Sequence, residues 1–171
     1  MVALPPGYKF YHALITEVAL RYRLDPFLVL ALVWQESAFN ADAFRYEPAF
    51  WNRYLKKNPL YAALNPRRVS SSYGLCQVMY CRIFEDRLVD NDALPPEHLF
   101  IPEPNLTTGC QLLVELFAWA GEYTDDPARI QLSALAAYNG GRGGNRPTED
   151  PLRNGVYARS VLAKHALLVA E

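Results

Sequence analysis

An unbroken apolar run, Phe27 to Trp34, constrains this chain more than any other feature. Asp25 and Pro26 precede it, an N-cap residue followed by proline at the first helical position, so the run starts a helix. A helix that is apolar on every face is stable only when other elements surround it. The run therefore predicts a central helix with the rest of the chain packed around it. A hydrophobic content of 51% over 171 residues supplies enough apolar surface for that packing in one domain. The helix ends in Gln35-Glu36-Ser37, which places a carboxylate at the rim of the core.

The remaining pattern is also mostly helical. Tyr11, Leu14, Ile15, Val18, Ala19 and Tyr22 form one apolar stripe and predict a helix over about 8–22. Further helices are predicted over about 76–89, 105–121, 127–139 and 154–169, with Gly140-Gly141 closing the one over 127–139. Prolines 48, 59 and 66 interrupt residues 40–70, where a short helix is expected near Ala49–Leu55. Residues 92–104 and the Gly/Pro/Asn-rich stretch 140–153 read as loops. The expected fold class is mainly α, a compact helical domain (1–171) with a substrate cleft and at most a small hairpin in the middle section.

Charge and cysteine usage exclude several classes of function. Seventeen Lys and Arg balance eighteen Asp and Glu, so the chain lacks the excess of a nucleic-acid binder. No apolar run reaches the ~20 residues of a membrane-spanning helix. The amino-terminal stretch has no basic region ahead of an apolar one and does not read as a signal peptide. Either the chain works without its own export signal or that signal is missing from this sequence. Cys76, Cys81 and Cys110 are odd in number and lack a metal-ligand spacing, so they are expected to be buried thiols. No metal or organic cofactor is expected.

Glu36 is the residue that asks for chemistry. At the end of an apolar helix, burial disfavours its ionised form, and the negative end of the helix dipole acts in the same direction. Both raise its pKa, which a carboxyl general acid needs near neutral pH. The plainer reading is a solvated carboxylate just past the core edge.

The neighbouring residues add a resemblance. The segment Ala31 to Asn40, with Glu36-Ser37 at its centre, resembles the Glu-Ser motif of the bacterial soluble lytic transglycosylases, a branch of the lysozyme-like superfamily. Ser72-Tyr73-Gly74-Leu75-Cys76-Gln77-Val78-Met79 is similar to that family's Gly-Leu-Met-Gln motif, with Cys76 where methionine is usual. Ala136-Ala137-Tyr138-Asn139-Gly140-Gly141 resembles its Ala-Tyr-Asn-x-Gly motif. Tyr157 to Val161 resembles its Tyr-x-x-x-Val motif, and Pro104-Asn105-Leu106 falls where the family has a Pro-x-Asn-Ile stretch. The motifs occur in family order over about residues 11–165. The segment 41–69 is longer and more aromatic than in the shortest members.

The resemblance implies a peptidoglycan lytic transglycosylase. Glu36 would be the single acid and base. Its proton would go to the oxygen between N-acetylmuramic acid and N-acetylglucosamine, and its carboxylate would then take the proton of the muramic acid C6 hydroxyl. That closes a 1,6-anhydro ring without water. Ser37 would shape the surroundings of the acid, and Tyr157 would orient it. Gln77, Met79 and, less directly, Ser72 would line the sugar groove. Tyr138 and Asn139 would face the reacting sugar, Asn139 helping to orient its acetamido group. Tyr46, Trp51 and Tyr73 join Tyr138 and Tyr157 as candidate aromatic walls, and Arg45 and Arg53 as local positive charge.

The partner implied is the glycan strand of the cell wall, met by a monomer without nucleic acid or an integral membrane segment, in the periplasm or delivered by phage. Two alternatives stay open. A hydrolytic muramidase of the same fold, perhaps a phage-type lysin, needs a second carboxylate; Glu47 is the first choice, ahead of Asp42 and Asp86. A non-catalytic wall-binding module would use the aromatic segment alone.

Overall fold

Helices account for most of the computed structural model, which describes residues 4–84, 87–90 and 95–170. α1 (Tyr8–Arg21) precedes α2 (Pro26–Ser37). The Asp25 side chain accepts the Phe27 N–H at 2.9 Å and caps α2 as its sequence suggests. Leu28 through Val33 are all buried, so α2 is enclosed on every side. It packs against α1 on one flank and α7 (Gly155–Val169) on another. α5 (Pro102–Gly121) packs on α6 (Pro127–Gly140), and α6 in turn on α7. α5 starts at Pro102, ahead of the predicted Asn105. Pro102 and Pro104 fall in its first turn, where no amide is needed for an intrahelical bond.

The middle section forms a smaller lobe. β1 (Phe44–Tyr46) leads into the short helix α3 (Pro48–Phe50) and a wide π-turn over Trp51–Leu55, followed by the four-residue α4 (Pro66–Val69). β2 (Ser71–Tyr73) pairs antiparallel with β1 and with β3 (Val78–Met79), Arg45 lying opposite Ser72 and Ser72 opposite Met79. β4 (Cys81–Phe84) and β5 (Arg87–Asp90) form a separate antiparallel hairpin.

The helix expected over 76–89 is therefore replaced by strands. Val78, Tyr80, Ile83 and Phe84 belong to the residue types that suit a pleated surface, and β3 finds its partner in β2. The strand content also exceeds the single hairpin expected from the sequence.

Two expected aromatic walls lie in the core instead. Trp51 packs with Leu55, Tyr61, Val69 and Cys81 in the lobe's own cluster, and Tyr73 is 2% exposed in the main core. The indole and phenol rings supply apolar volume there, which residue type alone does not distinguish from a sugar platform. All three cysteines are buried and free.

Candidate functional site

Glu36 occupies the last turn of α2, and its helix ends abruptly. Ala38 (φ 49°) and Phe39 (φ 62°) both adopt the left-handed conformation, which costs a non-glycine residue of order 1 kcal/mol or more. Phe39 is buried and makes an edge contact with the Tyr8 ring, so core packing holds this turn. The half-buried Glu36 carboxyl is thus fixed where the chain leaves the core.

Its partner comes from α7. The Tyr157 hydroxyl donates to Glu36 Oε1. Burial raises the Glu36 pKa to about 7 and outweighs the hydrogen bond from Tyr157, which favours the ionised form. Arg45 and Glu47 act on it in opposite senses, and they form an ion pair of their own, Nε to Oε1 2.6 Å. Burial and the adjacent carboxylate push the Tyr157 phenol well above its ordinary range, so it stays a donor.

The turn joining β2 to β3 is the site's second component. Gly74 has φ +68°, and a Cβ there would lie 2.5 Å from the Leu99 carbonyl oxygen and 2.6 Å from Asn105 Nδ2. Only glycine meets both conditions. Asn105, fully buried on α5, clamps this turn: its Oδ1 accepts the Cys76 N–H at 2.8 Å, and its Nδ2 donates to the carbonyls of Tyr73 (2.7 Å) and Leu99 (2.8 Å). Tyr138 reaches the same turn from α6, its hydroxyl donating to the Cys76 carbonyl at 2.9 Å. Gln77, in the left-handed region at φ 47°, donates from Nε2 to the carbonyls of Ala43 and Gly74, each at 3.1 Å. Its amide nitrogen is thereby held by the backbone.

The other predicted residues divide. The Ser37 hydroxyl turns back to the Val33 carbonyl of its own helix at 3.2 Å. Ser72 is buried, with its hydroxyl 3.5 Å from Glu47 Oε1. Glu47, the expected second carboxylate, is bound by Arg45. Arg53 lies over the Tyr54 ring. Met79 is half-buried and borders a hollow of about 100 Å³ with Tyr80, Arg82, Asp90, Thr108 and Gln111. A larger hollow of about 520 Å³, between Tyr61, Asn65, Arg68, Tyr80 and Asp90, includes none of the predicted site residues. Asp86 lies outside the described residues.

Asn139 is exposed at the end of α6 and accepts from Asn154 Nδ2 at 2.8 Å. The sequence reading missed Asn154 and its neighbour Asn145. It placed Asn105 in a motif without seeing that its amide would clamp the turn. The Asn145 and Asn154 positions gave only one signal, the density of asparagine and glycine after α6.

The arrangement holds a carboxyl proton near neutral pH beside a phenol donor, with the Arg45–Glu47 ion pair acting on it from the neighbouring strand and loop. Such a group protonates a leaving oxygen and later accepts a proton as carboxylate. Among the described residues no three His, Cys, Asp or Glu side chains gather as metal ligands, and no helix is long and apolar enough to cross a membrane.

Comparison with known proteins shows the family of the chain. A family model described as a transglycosylase SLT domain matches residues 13–155. The matched span contains Glu36, Gln77, Tyr138 and Asn139 and stops just short of Tyr157, whose place rests on its bond to Glu36. No match was found among curated proteins.

Proposed function

We propose that this chain, which belongs to the transglycosylase SLT domain family, cleaves the β-1,4 bond between N-acetylmuramic acid and N-acetylglucosamine in peptidoglycan and leaves a 1,6-anhydro end. The observation that carries the reading is Glu36, a half-buried carboxyl with its pKa raised to about 7 and a phenol donor on Oε1.

Protonated Glu36 gives its proton to the glycosidic oxygen as the bond breaks. The substrate's own acetamido oxygen stabilises the oxocarbenium-like carbon, and Asn139 orients that group. Glu36, now ionised and steadied by the Tyr157 hydroxyl, takes the C6 hydroxyl proton, and the freed oxygen closes the ring on C1. The proton count balances, since Glu36 ends as it began. Two-carboxylate glycosidases place the second group ~5–9.5 Å away to act as nucleophile or hold water. Glu47 would have to serve here, and its bond to Arg45 disfavours that role. Peptidoglycan is the partner, and the cell wall is the place of action.

Digestion of purified peptidoglycan tests the proposal. Soluble fragments ending in 1,6-anhydromuramic acid are expected from the wild-type chain and none from folded Glu36→Gln. Fragments with reducing ends alone move the reading to a muramidase. Undiminished release by Glu36→Gln removes the acid role from Glu36, and binding without turnover by the wild-type chain leaves a wall-binding module.

A further inference from the structure

We infer that Asn154 is a positioning residue which, through a relay of amides, fixes the end of the Asn139 side chain that faces outward. The inference deepens the reading above and rests on it for its consequence in glycan binding.

Asn154 immediately precedes α7, where an asparagine side chain would ordinarily cap its own helix and contribute ~1 kcal/mol. It makes no such bond. Its side chain turns instead toward the end of α6. Gly140 leaves room for it there: a Cβ at residue 140 would overlap Asn154 Oδ1.

The two ends of an amide are alike in shape, so their orientation follows from their partners. Here the partners have fixed polarity. The Asn154 backbone N–H, which only donates, reaches Asn145 Oδ1 at 2.8 Å. The Gly141 carbonyl, which only accepts, receives Asn145 Nδ2 at 2.8 Å. Asn145 is completely buried, and its orientation is therefore set. Its Nδ2 also reaches Asn154 Oδ1 at 3.1 Å, so that atom is an acceptor. Arg153 Nε, another obligatory donor, lies 3.5 Å from the same oxygen. Asn154 Nδ2 is left to donate to Asn139 Oδ1 at 2.8 Å.

Asn139 thus has its carbonyl end occupied from behind and presents its NH₂ end outward, toward an acceptor such as an acetamido oxygen. The same first stretch of α7 carries Tyr157 to Glu36. One helix start therefore sets both the acid and the amide.

Asn154→Asp tests this. The aspartate keeps the backbone N–H and one oxygen for Asn145 and Arg153 but places a second oxygen where Nδ2 stood. Asn139 then has to turn its NH₂ inward and present oxygen. The probe is N-acetylglucosamine tetrasaccharide, with binding measured by calorimetry. Asn154→Asp is expected to weaken Kd about tenfold in the wild-type background and to have no effect in Asn139→Ala, a coupling that general destabilisation does not produce. Wild-type affinity in Asn154→Asp, or an equal loss in both backgrounds, overturns the inference.

A second measurement is independent of any ligand. In the ¹⁵N-labelled wild-type chain the side-chain amide hydrogens of Asn154 should exchange slowly and those of Asn139 fast. Fast exchange at Asn154 overturns the relay even if the wild-type chain cuts glycan. Slow exchange at Asn154 supports it even if the glycan reading fails.

Discussion

Replacing Glu36 with glutamine should stabilise the folded chain above pH ~4.5, with the full effect reached above pH ~7. The cause is the linkage between proton binding and folding. A free glutamate titrates near 4.5, and in the folded chain Glu36 titrates at about 7. Below pH ~4.5 both states carry the proton and the carboxyl has no differential effect. Between ~4.5 and ~7 the unfolded chain releases its proton while the folded chain keeps it, so stability falls as pH rises. Above ~7 both are ionised and the full penalty of the buried charge remains. At 1.36 kcal/mol per pH unit the penalty is about 3 kcal/mol, less where water reaches the half-buried group. Glutamine accepts from Tyr157 as glutamate does but never ionises. Thermal unfolding of both chains at pH 4.5 and pH 8.5 reads the effect, because comparing two pH values cancels whatever the substitution does at all pH. For a chain of this size, Glu36→Gln should gain ~4–12 °C relative to wild type on going from pH 4.5 to pH 8.5. An equal difference at both values, or one of opposite sign, refutes the claim that burial dominates at Glu36.

Two other substitutions probe the site's supports. Tyr157→Phe removes the hydrogen bond that favours the ionised acid, a bond to a charged group contributing ~1.5–3 kcal/mol. The alkaline limb of the peptidoglycan digestion profile, expected near pH 7, should move up by about one pH unit or more; an unmoved or lowered limb contradicts the assignment. Asn105→Ala strands the Cys76 N–H and the Tyr73 and Leu99 carbonyls in a buried place. Chemical denaturation should register a loss of ~3–5 kcal/mol, and a loss below ~1 kcal/mol would show that the clamp is dispensable.

The parts of the fold that the sequence revealed are those with local causes. The run from Phe27 to Trp34 is apolar on all sides and lies at the centre, and Asp25 caps it. Strand β3 was hidden because it depends on β2, and β2 on β1, which stands more than thirty residues before β3 in the chain. Aromatic type did not separate wall from core, and Trp51 and Tyr73 turned out to be core. Within the site, Glu36 was legible from burial and helix position. The engagement of Gln77 by the Ala43 and Gly74 carbonyls was not, since it depends on a turn whose backbone is held by distant residues. Asn145 read as a loop asparagine and Asn154 as the start of the last helix, and no local pattern signals their bonds to fixed backbone groups.

The central claim is that Glu36 alone performs both proton transfers and that the sugar's own C6 oxygen, not water, closes the reaction. Digestion of purified peptidoglycan in ¹⁸O-labelled water, followed by mass spectrometry of the new muramic acid ends, tests this most directly. The account predicts ends that lack one water and carry no label. Ends that retain the water and carry one ¹⁸O would contradict it and require a second group to activate water beside Glu36.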